Sequence, residues 1–483
     1  MKKSFKNEII HGICKDITYL GYGLVEHENR KILISGLFTN EEGDFELLYK
    51  KGDFYYGKIV KLTKVSPNRI QPKCKICSSC GGCCFQQLSY EAQLDFKTNL
   101  VKSQLLKVGH LDVPVNKTIG MDYPYFYRNK IQMPLGTDAK GNIYTGFYKE
   151  GTHVIVPVDV CYIESEKAKP VLDTIKKLLK SFKIKPYDED ERSGVLRHIL
   201  IKTSFNKDEI MVVLVTNVDV FPSRNNFVKA LTKAHPNIVT VVQNINSRDT
   251  NVILGNKEHI LFGKGYIEDI LCGVKFKISA KSFYQTNPVI TEKLYNYAIN
   301  SAKISKNDVV FDSYSGIGTI GLIASSKAKE VISVELVNEA VRDAISNSKL
   351  NSINNIKFIC DDASSFISRL ADENQKIDVL FMDPPRKGSD ERFLRNVAKL
   401  KPDRVVYVSC NPSTLARDLV FLSKYYNIYD VQPFDMFPMT SHCETVVSLT
   451  LRNSGLNWNN FKNNQKNADK PIISWYIIVA RWF

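Results

Sequence analysis

The chain has 483 residues, 43% hydrophobic and 24% charged, with a formal net charge of +15. That balance excludes wholesale disorder, and the length exceeds one ordinary core, so two to four domains are expected. The basic excess points to a polyanionic partner. That partner could be nucleic acid or an anionic membrane surface, and the charge leans toward nucleic acid; no stretch approaches the ~20 apolar residues of a membrane span.

The start, MKKSFKNEIIHGICKD, lacks the apolar core of a secretory signal, and a cytoplasmic location is expected. There, the eleven cysteines should serve as thiols or metal ligands rather than disulfides. Residues 1–63 read as short β segments punctuated by Gly21 and Gly23. Phe38, Phe45, Tyr49, Phe54, Tyr55 and Tyr56 interleave with Lys50, Lys51 and Lys58. This pattern predicts a small barrel of OB type, whose face stacks bases and tracks phosphates.

Residues 64–92 hold a basic, Pro-containing linker and then Cys74, Cys77, Cys80, Cys83 and Cys84 within eleven positions. Such density in a cytosolic chain reads as a metal site. A zinc ribbon separates its cysteine pairs by a longer loop. Here the pairs run together, and Gly81–Gly82 lets the backbone wrap closely, which suits an iron–sulfur cluster better than one tetrahedral zinc.

Helical patterning spans 89–108, inside a mixed α/β unit expected over 93–274 with strand-like HILIKTSF, EIMVVLVTN and NIVTVVQNI. His198 in that unit reads as a fold residue. Within 275–452, strands and helices alternate from about residue 305, which predicts a Rossmann-like, doubly wound sheet. Within residues 453–483, the Asn/Lys-rich SGLNWNNFKNNQKNADK is expected to be a linker or disordered, whereas the apolar IISWYIIVARWF could be an added strand, a docking peptide or an accidental extension.

The chemistry-bearing residues cluster in the alternating region. Asp312-Ser-Tyr-Ser-Gly316-Ile-Gly318 follows an apolar strand, where glycines let a cofactor approach the backbone. Gly321 completes a GxGxxG spacing that also suits a dinucleotide. Glu335 ends the next strand, where an acid accepts hydrogen bonds from a ribose diol. Asp383 precedes two prolines in a rigid turn. Cys410 ends the apolar run VVYVSC, at the sheet edge where open α/β folds place reacting groups. Glu444, at the mouth of TVVSLTL, suits a general base. Gln285 in SFYQTN suits a contact to cofactor or base.

Together FYQTN (283–287), DSYSGIGT (312–319), DPPRKG (383–388), VSCNPSTLARD (408–418) and MFPMTSHCETV (436–446) resemble the RNA uracil-5-methyltransferase family, and within it the 23S ribosomal RNA branch. The resemblance covers the chain to about residue 452. It implies a class I methyltransferase domain, an N-terminal TRAM barrel, and S-adenosylmethionine held by Gln285, Tyr314, Glu335 and Asp383. It also implies Cys410 as nucleophile, Glu444 as base, and a 4Fe–4S cluster on Cys74, Cys80, Cys83 and Cys161. Cys77 and Cys84 are additional thiols that leave the ligand set ambiguous.

The implied chemistry is physically coherent. Uracil C5 is too weak a nucleophile to take a methyl group unaided, and thiolate attack at C6 raises its electron density. The target base has to leave its stack to reach such a pocket. A monomer acting on 23S ribosomal RNA is expected. Alternatives are a transfer RNA uracil-5-methyltransferase and a non-catalytic iron–sulfur RNA-binding protein.

Overall fold

The computed structural model describes residues 8–149, 152–250 and 252–452, so the expected tail at 453–483 lies outside the described residues. Five strands form a closed barrel: β1 (Ile9–Ile17), β2 (Tyr22–His27), β3 (Arg30–Ser35), β4 (Glu42–Lys51) and β5 (Phe54–Lys64), in the order β1-β2-β3-β5-β4. β4 pairs back onto β1. Alternation along β4 sends Phe45 and Leu47 inward, beside Ile10, Val25, Ile32 and Ile34. The interleaved aromatics therefore divide. Phe45 is core, whereas Tyr49 stacks on Tyr56 at 4.8 Å and Tyr55 lies beneath Arg30 and Lys50.

A second sheet joins β6 (Lys130–Thr137), β7 (Ile143–Tyr148), β8 (Ile155–Pro157), β9 (Leu196–Thr203), β10 (Ile210–Thr216), β11 (Ile238–Ile245) and β12 (Lys257–Gly263). Its order is β12-β11-β10-β9-β6-β7-β8. Every residue of β9 and β10 is buried, as suits central strands, including Arg197, His198 and Lys202 of β9. A hairpin of β13 (Tyr266–Leu271) and β14 (Val274–Ser279) leads to the third sheet.

That sheet contains β15 (Val309–Ser313), β16 (Glu330–Glu335), β17 (Ile356–Cys360), β18 (Val379–Met382), β19 (Arg404–Ser409), β20 (Tyr426–Phe434) and β21 (Glu444–Leu451). The order is β17-β16-β15-β18-β19-β21-β20. β15 to β19 run parallel, and β21 is antiparallel to both β19 and β20. Helices connect the parallel strands, and two begin on side-chain caps. Asp362 accepts from the Ser365 amide at 2.9 Å and Asp390 from the Phe393 amide at 2.8 Å. The chain reverses direction across the sheet between β15 and β18, which opens a crevice at the carboxyl edge.

Candidate active site

The carboxyl edge collects the residues the sequence singled out. Tyr314 follows β15, Glu335 ends β16, Asp383 follows β18, and Cys410 follows β19. β21 returns to the same edge and opens with Glu444, because it runs antiparallel to β19. Ser409 pairs with Thr445 and Phe434 with Glu444, so Cys410 and Glu444 leave the sheet on neighbouring turns of chain.

The electrostatics of this edge are those of a crowded, partly dry acid pocket. Burial pushes the Glu444 carboxyl well above its usual range, Asp383 adds to the effect, and Arg386 opposes it. Asp383 is raised to about 7 by burial. The Cys410 thiol is pushed up to about 12 by burial, with Glu444 and Asp383 adding to it and Arg386 working against them. Arg386 is the cation that favours ionisation of both nucleophile and base. It stands in DPPRKG, and its position after the two prolines was the available signal.

Two motifs hold that arginine in place. Asn411 and Thr414 donate to the Arg386 carbonyl at 3.1 and 3.2 Å. Arg417 donates to the Lys387 and Ser389 carbonyls, and Asp418 accepts from the Ser389 amide at 2.9 Å and the Tyr407 hydroxyl at 2.7 Å. The polar residues after Cys410 are thus spent on the loop after Asp383.

The glycine turn provides the backbone side of the crevice. Gly316 takes φ +56° with open space where a Cβ would stand, and Gly318 takes φ +81° with the Phe358 ring 2.9 Å from that position. Glu335 accepts from the Gly316 amide and the Val337 amide, both at 2.9 Å. Its carboxylate is oriented by backbone and retains acceptor capacity for a diol. Asp312 is buried and raised to about 7, and it accepts from the Gly321 amide at 2.9 Å, so it braces the turn from inside. Tyr314 adopts φ +66° and lays its ring 5.4 Å from Phe393.

Gln285 sits where its side chain reaches the buried Tyr295 hydroxyl, and Asn129 from the second sheet donates to its carbonyl at 3.0 Å. Phe283 beside it is 69% exposed. Asn287 caps the following helix, Pro288–Ser301, and donates to the Met436 carbonyl at 3.1 Å. His198 lies apart from this edge, in β9. Burial lowers its pKa to about 4, as suits a fold residue, although its Nδ1 has no hydrogen-bond partner among the described residues.

The cysteines form a separate centre. Cys74, Cys77, Cys80, Cys83 and Cys161 line one cavity of about 170 Å³, together with Gln86, Arg128 and Glu164. Cys84 points elsewhere, against Gly21 of the barrel and toward Ser441. Burial raises the Cys83 thiol to about 12 and Cys161 still further. Among the described residues no three His, Cys, Asp or Glu side chains converge as a metal-holding group, so the thiols line a space rather than meet at a point. Five thiols from two chain segments around one cavity are a donor set that fits an iron–sulfur cluster.

The crystal structure of the Pyrococcus abyssi tRNA (uracil-54, C5)-methyltransferase, determined with S-adenosyl-L-homocysteine, superposes with TM-score 0.73 over 91% of this chain and 100% of that one, at 24% identity. The fold is that of class I methyltransferases. A family profile described as tRNA (Uracil-5-)-methyltransferase matches residues 89–452, and the chain belongs to that family. It is an RNA methyltransferase. An uncharacterized RNA methyltransferase of Clostridium tetani is 41% identical over 431 residues, 89% of this chain and 94% of the relative. Another, from Staphylococcus aureus strain MSSA476, is 40% identical over 453 residues, 94% and 100% of the two chains.

Among the described residues no helix is long and apolar enough to cross a membrane.

Proposed function

We propose that this protein methylates C5 of a uridine in 23S ribosomal RNA, with Cys410 as covalent nucleophile and Glu444 as the base that removes the C5 proton. The observation that carries the reading is the meeting of Cys410, Asp383, Arg386 and Glu444 at one sheet edge. S-adenosylmethionine, when bound, supplies an electrophilic methyl group on a sulfonium. Gln285, Tyr314, Glu335 and Asp383 would hold it, with Glu335 aimed at its ribose.

The protein's part follows from its own groups. The Cys410 sulfur bonds to C6 and the ring electrons move to O4 as an enolate. C5 then takes the methyl group as its bond to the sulfonium sulfur breaks, leaving a neutral thioether. Glu444 accepts the C5 proton, the C5–C6 double bond re-forms, and the C6–sulfur bond breaks to release the thiolate. Arg386 favours the ionised thiol at the start of this sequence and the ionised carboxylate at its end. Orientation and a dry pocket contribute to the acceleration, and with Cys410 raised to about 12 forming its thiolate costs far more than for an ordinary thiol, so Arg386 bears directly on the first step.

The finer assignments belong to the same proposal. The barrel over 1–63 is read as a TRAM module of OB type that grips RNA through its aromatic and basic face. Residues 64–92 carry the cysteine cluster, 93–274 form a central RNA-binding unit, and 275–452 are catalytic. Cys74, Cys80, Cys83 and Cys161 would ligate a 4Fe–4S cluster, with Cys77 lining the same cavity. A cytoplasmic monomer is proposed. Transfer RNA is the second reading of the substrate, favoured by the description of the family and of the Pyrococcus abyssi structure.

Purified protein incubated with methyl-labelled S-adenosylmethionine and either 23S ribosomal RNA fragments or transfer RNA separates these readings. Labelled 5-methyluridine from ribosomal RNA with wild type, and none with Cys410→Ala, is the expected result. Label in transfer RNA alone supports the second reading. Absence of label in both would overturn the enzymatic assignment to uridine.

A further inference from the structure

The helix Tyr90–Lys107 places Tyr90, Gln93 and Lys97 on one face, and all three reach a single stretch of chain. That stretch, Asp435–Cys443, joins β20 to β21 and delivers Glu444 to the pocket. Asp435 accepts from the Lys97 ammonium and from the Tyr90 hydroxyl, the latter at 2.7 Å. Lys97 also donates to the Phe437 carbonyl at 3.1 Å. Both members of the ion pair are 0% exposed. Gln93 accepts from the Met439 amide at 2.9 Å, and the Phe85 amide donates to the Met439 carbonyl at 3.0 Å. Tyr127 donates to the Pro438 carbonyl, and Asn287 to that of Met436. The Lys97 charge is also felt by His442 and Cys443, the two residues before Glu444.

A buried ion pair is a poor way to gain stability, because an apolar pair of equal volume often does as well. What Lys97 and Asp435 give that an apolar pair would not is direction: a fixed ammonium that ties the loop's first residue to its third through one helix. We infer that the Lys97–Asp435 pair is a positioning device for Glu444, setting the base against the C5 proton without taking part in attack by Cys410. The inference rests on the proposed roles of those two residues.

The test separates formation of the covalent adduct from its resolution. Transcripts containing 5-fluorouridine arrest at the Cys410 adduct, because C5 then carries fluorine in place of the proton Glu444 would remove. The double variant Lys97→Met/Asp435→Leu preserves apolar volume where a single change would strand a buried charge, and the paired variant Lys97→Gln/Asp435→Asn keeps a polar link between helix and loop with neither charge. The double variant should form the arrested adduct at close to the wild-type rate. Its turnover on unsubstituted RNA should fall about 10- to 100-fold with KM little changed, and covalent complex should accumulate. Lys97→Gln/Asp435→Asn should recover part of the loss. Equal losses in adduct formation and turnover, or no loss in either, would overturn the inference. A wild type that forms neither adduct nor product would instead remove the Cys410–Glu444 reading beneath it.

Discussion

Cys410 and Glu444 adjoin one pair of the antiparallel β19–β21 ladder: Ser409 pairs with Thr445, and each candidate is the residue next to that pair, so strand register brings both to one edge. Side chains on directly opposed residues of an antiparallel pair leave the same face. The candidate nucleophile and base are therefore placed at one sheet edge by strand pairing.

Glu444→Gln keeps the shape of the pocket and removes its base. Turnover should fall by about 10²-fold or more while attack at C6 survives. A protein–RNA adduct stable to denaturing electrophoresis is the expected product with unsubstituted RNA. Free RNA alone in that assay would count against Glu444 as base.

Activity should depend steeply on pH. Burial raises Glu444 well above the carboxylate range and Cys410 to about 12, so the ionised forms required for catalysis are scarce at low pH. The rate under limiting substrate should rise from pH 6 through pH 8 and should not level off in the range of an ordinary carboxylate. Arg386→Gln removes the opposing cation and should push the rise to still higher pH. A profile flat above pH 5 would contradict this.

Stability should move the other way. The Asp383 pKa is raised to about 7 in the folded chain, so the folded state binds more protons than the unfolded one between roughly pH 4 and 7. The stability associated with this group is fully present below pH ~4 and is lost as pH rises through 7, with a ceiling of about 4 kcal/mol. Asp383→Asn should raise the melting temperature at pH 8 and change it little at pH 4.5, as thermal denaturation at the two values would show.

The cysteines should divide into two groups. Cys83→Ala and Cys161→Ala remove thiols from the lined cavity and should abolish iron and acid-labile sulfide in anaerobically purified protein. Cys84→Ala alters the contact with Gly21 and should leave both contents unchanged. Equal loss in all three variants would mean that the cavity does not define the site.

Gly318→Ala should cost stability by about 1–2 kcal/mol from backbone strain alone, plus the clash with Phe358, whose ring atom stands 2.9 Å from the new Cβ. Gly316→Ala meets nothing within 4 Å and should pay only the backbone cost. Chemical denaturation of both variants, with calorimetric binding of S-adenosylmethionine, would distinguish strain in the turn from obstruction of the crevice.

The strands were legible where physics is local. HILIKTSF and EIMVVLVTN read as strands because β-branched runs bounded by polar turns leave little choice, and they form the buried β9 and β10. The helix seen from 89 to 108 in the sequence is Tyr90–Lys107. The motifs placed Cys410, Asp383, Glu335 and Glu444 at strand ends, and those ends share one sheet edge. What the sequence did not disclose were partnerships between distant segments. Lys97 and Asp435 lie 338 residues apart in the chain, and nothing in CKICSSCGGCC distinguishes Cys84, which is turned away by contacts to Gly21 and Ser441.

The barrel closes on itself through the β1–β4 pairing, so among the described residues it presents no unpaired strand edge to the outside. A sheet with a spare edge can recruit any extended polypeptide by backbone bonding alone, which is indifferent to side-chain identity. This module has given up that option. Under the proposed RNA-binding role, recognition would have to fall to its rings and charges, so its choice of partner would be written in individual side chains and could be altered one residue at a time.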